Sequence, residues 1–285
     1  MRKIAFIALI IFTFSLGVSA QLALPRESQR QTITQTIGDA TVSIVYHRPN
    51  VKGRKVFGGL EAYGKVWRTG ANENTVFEVS RDVTVDGKPL PAGKYGLHTI
   101  PGEKEWIVIF SKDNDKWGSF SYDEKNDALR VSVKPEKIPN QETLAYSFDD
   151  VGPHTAKIAI RWEKIRVPFT VDTGDITGRS LAQIREAIKN RKPDDRTPLN
   201  QGANYVFTFK VKENYDEAMG WLDTSLGLRE AFGTLVLKAR LLAEMGKRAD
   251  AIALGEKALA FGKAATPPAN TTDLEKYLAE WKGSK

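Results

Sequence analysis

Ile37-Gly38-Asp39-Ala40-Thr41-Val42-Ser43-Ile44-Val45-Tyr46-His47 is the stretch that decides the fold of the first half of this chain. Val42, Ile44 and Tyr46 alternate with Ser43, Val45 and His47, the period of two that lines up one row of side chains for burial. Ile37-Gly38-Asp39-Ala40 supplies a turn back to a preceding strand, so the unit reads as a hairpin. The same period continues from Thr32 to Val171. Strands are expected at Val76 to Ser80, Val83 to Val85, a run from Leu90, Tyr95 to Ile100, Trp106 to Ser111, Leu129 to Val133, Thr143 to Phe148 and Lys157 to Trp162. Asp86-Gly87 tolerates positive φ and suits a tight turn between two of them. No long helical pattern interrupts the series, and parallel strands need helical crossovers. The expected fold for residues 21–172 is therefore all-β and antiparallel, a sandwich of two sheets or a flattened barrel.

After Asp172 the apolar period lengthens to about 3.6 and alanine becomes frequent. Leu181, Ile184 and Ile188 open a first helix that Lys192-Pro193 should end. Further helices are expected near Leu199 to Lys212, Tyr215 to Leu226, Phe232 to Met245, Ala249 to Phe261 and Asp273 to Trp281. Residues 173–285 thus read as an all-α helical-repeat or bundle domain, with short connections such as Met245-Gly246-Lys247 forcing antiparallel neighbours. Ala218 and Ser225 recur as Ala251 and Ala258 after 33 residues, and with Ala239, Leu242 and Gly246 this resembles the tetratricopeptide helix pair. Gly255 stands where that pair has a large aromatic. An ordinary amphipathic bundle with coincident small residues is the alternative.

Charged residues make up 27% of the 285 and the hydrophobic set 41%, the usage of a folded globular protein, and the length suits about two domains. There is no cysteine. Disulfides, thiolate nucleophiles and cysteine-ligated metals are thereby excluded. Met1 to Ala20 reads as a signal peptide: Arg2 and Lys3 precede a mostly apolar Ile4 to Val18, and Val18-Ser19-Ala20 suits a cleavage site. The expected mature protein starts at Gln21, is exported to a periplasm or beyond the cell, and carries no membrane span. The net charge of +7 is spread over both halves and includes Arg2 and Lys3, so no concentrated basic surface for nucleic acid is expected.

Between Tyr46 and Thr75 the alternation stops for nearly thirty residues, too long for a simple connector. Phe57, Leu60, Tyr63 and Trp67 give this loop apolar anchors, so it is expected to be ordered. Its words Tyr46-His47-Arg48-Pro49-Asn50-Val51 and Tyr63-Gly64-Lys65-Val66-Trp67-Arg68-Thr69-Gly70-Ala71-Asn72-Glu73-Asn74-Thr75 are distinctive. Together with Leu90-Pro91-Ala92-Gly93-Lys94-Tyr95, Lys116-Trp117-Gly118 and Asp127-Ala128-Leu129-Arg130-Val131, they resemble the family of secreted bacterial proteins called domain of unknown function 2911, over about residues 32–171. The resemblance implies export, a β-rich domain and sometimes a helical extension. It brings no established activity and no catalytic residues.

The site must be read from the residues. Arg48, Arg54 and Arg68 offer guanidinium donors, Asn72 and Glu73 add both hydrogen-bond polarities, and Tyr46, Tyr63 and Trp67 offer flat faces. Tyr46, Arg48, Arg54, Trp67, Arg68, Asn72, Glu73 and His98 are expected to line one partly open pocket, with Tyr46 and Trp67 as its floor. The competing structural reading pairs Arg68 with Glu73 internally, puts Asn72 in a positive-φ turn and buries the aromatics. His47 and His98 approach each other, with Glu73, only if their strands are neighbours, so no metal is expected, and no cofactor is implied. The absence of a Gly-x-Ser-x-Gly elbow, a phosphate loop and a dinucleotide fingerprint removes serine acyl transfer and nucleotide chemistry. The expected function is binding of a polar small molecule, glycan or protein. The alternative is hydrolysis of a carbohydrate or envelope polymer with Glu73 and Arg68 in the site; Glu61, Glu73, Asp123 and Asp127 are the available carboxylates, and spacing fixes no pair among them.

Overall fold

A computed structural model describes residues 24–283, and the expected signal segment 1–20 lies outside them. Residues 24–172 and 173–283 form two compact units. No helix of the described residues is long and apolar enough to cross a membrane.

The first unit opens with the hairpin of β1 (Gln29–Ile37) and β2 (Ala40–Arg48), registered from Gln29 opposite Arg48 to Ile37 opposite Ala40. Gly38, with φ 59°, makes the tight reversal between them. Then come β3 (Thr75–Val79), β4 (Val83–Val85), β5 (Lys88–Leu90), β6 (Gly93–Ile100), β7 (Trp106–Ser111), β8 (Asp127–Val133), β9 (Glu136–Asp149) and β10 (Thr155–Asp172). They form a six-stranded sheet, β1-β2-β3-β6-β7-β8, and a four-stranded sheet, β5-β4-β10-β9, with every pairing antiparallel. Neither sheet closes on itself, so of the two expected forms the chain adopts the sandwich. Asp86 and Gly87 both have positive φ, 45° and 77°, the geometry that matches the twist of a two-residue hairpin.

The alternating residues meet between the sheets. Phe77 and Phe110 of the larger sheet pack edge to face at 5.0 Å, and Phe110 meets Phe169 of the smaller sheet at 5.8 Å. Ile44, Leu97, Leu144 and Ile158 fill the same core with no exposed surface. β9 and β10 run well past the expected Thr143 to Phe148 and Lys157 to Trp162. Residues 136–142 lack alternation and are largely exposed, so their pairing leaves no periodic signal. It is held by backbone bonds and by Arg166, which bridges Glu136 and Asp149 at 2.5 and 2.9 Å. The register shifts on both sides of Glu163, a bulge marked by its φ of 54°.

The second unit contains α1 (Ile176–Lys189), α2 (Thr197–Thr208), α3 (Tyr215–Leu228), α4 (Phe232–Glu244), α5 (Arg248–Ala264) and α6 (Thr272–Gly283). Asp175 caps α1 by accepting from Gly178 N–H at 2.8 Å. α2 stops short of the expected Lys212 because Lys210 turns left-handed, with φ 52°, before a short helical turn at Lys212–Asn214. Ala218, Ser225, Ala251 and Ala258 are fully buried. Asn200 Oδ1 accepts from Ser225 at 2.9 Å and Thr234 at 3.3 Å, tying α2 to α3 and α4.

Candidate functional site

The long loop, residues 49–74, is bound into the sandwich by its own backbone. Trp67 and Thr99 exchange N–H···O bonds of 2.8 Å each, so the loop continues along β6 where β3 stops. Further bridges join Asn50 to Thr143 and Glu73 to Trp117. Buried polar groups fasten it further: Tyr146 Oη donates to the Thr69 carbonyl at 2.9 Å, and Thr69 Oγ1 to Thr99 Oγ1 at 3.0 Å. The loop is ordered, but its anchors divide. Phe57 and Trp67 are buried, whereas Leu60 and Tyr63 are 47% and 40% exposed.

Tyr46 and Trp67 are core residues, not a pocket floor. Tyr46 donates to Gln31 Oε1 at 2.6 Å and accepts from Tyr146 N–H at 3.1 Å. Trp67 donates to the Gly70 carbonyl at 3.1 Å and stacks on Trp162 at 5.5 Å. Arg48 Nε donates to the Leu144 carbonyl at 3.0 Å, and Arg54 to Val51 and Asn50 carbonyls at 2.9 and 2.6 Å. Asn72 does take the left-handed conformation, φ 60°, and its carbonyl accepts from Gly118 N–H at 3.1 Å.

Glu73 does not pair with Arg68. Arg26 donates to both its carboxylate oxygens, at 2.6 and 2.7 Å, and lies over the Trp117 ring at 5.4 Å. Those bonds lower the Glu73 pKa, so the carboxylate stays ionised and accepts hydrogen bonds rather than acting as a general acid. These two residues border a hollow of about 630 Å³ with His47, Asn74, Val45 and Val76. His47 is buried, and its Nδ1 reaches Glu73 Oε2 only at 3.5 Å, so it has no hydrogen bond. Burial lowers the His47 pKa against the opposing pull of Glu73. Asn74 Oδ1 is likewise buried without a partner.

His98 stands behind Asn74 rather than in the hollow. Asn74 Nδ2 donates to His98 Nε2 at 3.1 Å, which leaves the ring proton on Nδ1 to donate to Ser119 Oγ at 2.9 Å. Burial drives the pKa of His98 down to about 4, so the ring is neutral and fixes the Asn74 amide. His47 and His98 are not on neighbouring strands, because β3 lies between β2 and β6. Among the described residues no group of three or more His, Asp or Glu is placed to hold a metal ion.

Arg54 and Arg68 border a second, smaller hollow of about 250 Å³ with Glu61 and Trp162. Burial lifts Glu61 to about 7, although Arg68 and Arg54 act to lower it. Ser28 touches both hollows. The eight expected residues are thus divided: Glu73 on one hollow, Arg54 and Arg68 on the other, Tyr46, Trp67 and His98 in the interior, and Arg48 and Asn72 on neither hollow, tied to the Leu144 and Ser28 carbonyls. Arg26, Asn74 and Trp162 border the hollows without being among the expected residues. Arg26 precedes the first strand and Trp162 sits in a core-like strand, so neither position carries a local signal.

Fold and hollows define a class: an antiparallel β-sandwich protein whose longest loop builds open polar recesses, followed by a helical unit. The chain belongs to the family described as protein of unknown function (DUF2911), whose model matches residues 28–171. No curated protein and no solved structure matches it.

Proposed function

We propose that the protein is exported and works by binding, taking a hydroxyl-rich ligand such as a glycan fragment into the larger hollow. One observation carries this reading: His47 and Asn74 line the same open recess, and His47 Nδ1 and Asn74 Oδ1 are both buried without a hydrogen-bond partner. A hydroxyl both donates and accepts, so it meets an amide oxygen and an imidazole nitrogen together. Val45 and Val76 offer the apolar surface that a sugar ring covers, and Arg26 and Glu73 add polar groups at the rim. Export rests on the Met1 to Ala20 pattern. The helical unit is read as tetratricopeptide-like and as a docking element for another protein. Its fully buried small residues, repeated at a spacing of 33, support that reading.

The test is a thermal-shift screen of neutral di- and trisaccharides, because a ligand that binds only the folded state raises its melting temperature by mass action. A stabilising saccharide is expected to lose its effect in His47→Phe while the ligand-free melting temperature holds. No stabilisation by any saccharide, or an undiminished shift in His47→Phe, would overturn the assignment.

A further inference from the structure

Two residues that line the smaller hollow carry buried polar groups without a hydrogen-bond partner. Trp162 is 1% exposed, yet its indole N–H finds no acceptor. Arg68 Nε is buried and equally without a partner. A buried donor left unpaired is costly, because it has given up its bonds to water and gained none in return. Two of them on one recess mark a place built for something that accepts hydrogen bonds.

Their positions are fixed. Trp162 stands at the bulge of β10, where the register slips before Glu163, and bulges of this kind re-aim side chains next to sites. Its ring lies nearly parallel to Trp67, at 20° and 5.5 Å, with Phe57 edge-on at 6.0 Å. Arg68 is pinned beneath Gly118: a Cβ there would come within 2.8 Å of its Nη1, and the φ of 68° suits glycine. Glu61 borders the recess with neither a hydrogen bond nor an ion pair from its carboxyl among the described residues. The remaining charges are Arg54, held by two loop carbonyls, and Lys52 and Glu27, which neutralise each other in an ion pair. The balance is cationic, and at about 250 Å³ the recess is smaller than the ~300–1,000 Å³ of sites for drug-sized ligands.

We propose that this recess binds a small carboxylate, which accepts from Arg68 Nε–H and from the Trp162 indole N–H while Glu61, as the neutral acid, donates a third hydrogen bond. Donors without acceptors and a surplus of guanidinium select an anion over a neutral polyol. Burial brings the Glu61 pKa to about 7. A bound anion repels its ionised form, so binding at or above that pH takes up a proton. The larger hollow contributes none of Glu61, Arg68 or Trp162, so this site and the glycan reading stand or fall separately.

The experiment is an amide and indole nitrogen–proton correlation spectrum of the nitrogen-15 labelled full chain. Acetate, lactate and glucuronate are titrated at matched ionic strength, with acetamide and glucose as neutral controls. The Trp162 indole peak is identified by its loss in Trp162→Phe. The carboxylates are expected to move that peak saturably and the neutral compounds to leave it in place. Arg68→Gln should weaken the effect at least tenfold while the other indole peaks stay put. If that variant disturbs the fold, Arg68→Lys, which keeps the charge but lacks Nε, should weaken binding likewise. Calorimetry in two buffers of different ionisation enthalpy should show proton uptake that disappears in Glu61→Gln. An unmoved Trp162 peak, an equal response to acetamide or glucose, undiminished binding in the Arg68 variants, or binding without proton uptake would each overturn the proposal.

Discussion

Burial acts on Glu61 and His98 through one rule, that a low-dielectric surrounding disfavours the ionised form, and so shifts an acid up and a base down. Glu61 rises from 4.5 to about 7. The folded chain then keeps a proton that the unfolded chain releases, and stability falls as pH rises from 4.5 to 7. Glu61→Gln is expected to remove this decline, leaving the variant about 1–3 kcal/mol more stable than the parent above pH 7 by denaturant unfolding. His98 moves the other way, from 6.5 to about 4. The unfolded chain takes up a proton that the folded chain refuses, so stability is full above 6.5 and falls as pH drops toward 4. His98→Gln should flatten that acid limb, worth about 2–3 kcal/mol in the parent. Equal slopes in parent and variant would mean that the residue does not carry the pH dependence.

At the level of elements, small residues set how closely strands and helices approach. Gly96 of β6 lies between β3 and β7, and a Cβ there would sit 2.2 Å from the Asp113 carbonyl oxygen, backbone that cannot step aside. The same Cβ would crowd Asn74 Nδ2 and His98 Nε2, at 3.1 and 3.2 Å. Gly96→Ala is therefore expected to cost about 1–3 kcal/mol by overpacking and to disturb the amide that borders the larger hollow. Retained stability together with retained ligand shift would show that β6 has slack. In the helical unit Ala251 is fully buried at the start of α5. Ala251→Trp should lower stability by about 1–3 kcal/mol for the same reason, read as a drop in melting temperature. An unchanged melting temperature would mean that close helix approach at this point does not hold the unit together.

Across the whole molecule the two units differ in how their cores are built. Residues 24–172 share one contiguous apolar core drawn from both sheets and the long loop. The helices divide theirs between two clusters, one centred on Ala203, Val206 and Leu222 and one on Leu235, Ala258 and Leu274. A single core suffices for independent folding. A chain of residues 24–172 should therefore show a β-type circular dichroism spectrum and one cooperative thermal transition. Limited proteolysis of the full chain should cut first near residues 173–175 or 190–196, outside the strands and helices. A first cut between Val76 and Ile100, inside the sandwich, would contradict the division.

Periodicity alone specified the class of each half, because alternation in Val42-Ser43-Ile44-Val45-Tyr46 and the 3.6-residue spacing of the alanine-rich segments are local consequences of which face is buried. Turn chemistry was equally local: Gly38, Asp86 and Gly87 take the positive φ that their composition favours. Asn72 was legible in the same way. The polar ends of β9 and β10 were not, since an exposed pairing needs no apolar rhythm. The sites lay further still from the sequence. Whether an arginine meets Glu73 from position 26 or position 68 is a matter of which strand end lies beside the loop, and that follows from the order β1-β2-β3-β6. Side chains of the same type were sorted by depth, with Tyr46 and Trp67 drawn into the core and Arg68 left at a recess. Trp162 reads as core by pattern and is core by burial, yet its unpaired N–H gives it a second meaning. Only tertiary structure decides such a matter, because hydrogen-bond satisfaction depends on neighbours distant in sequence whereas periodicity depends on adjacent ones.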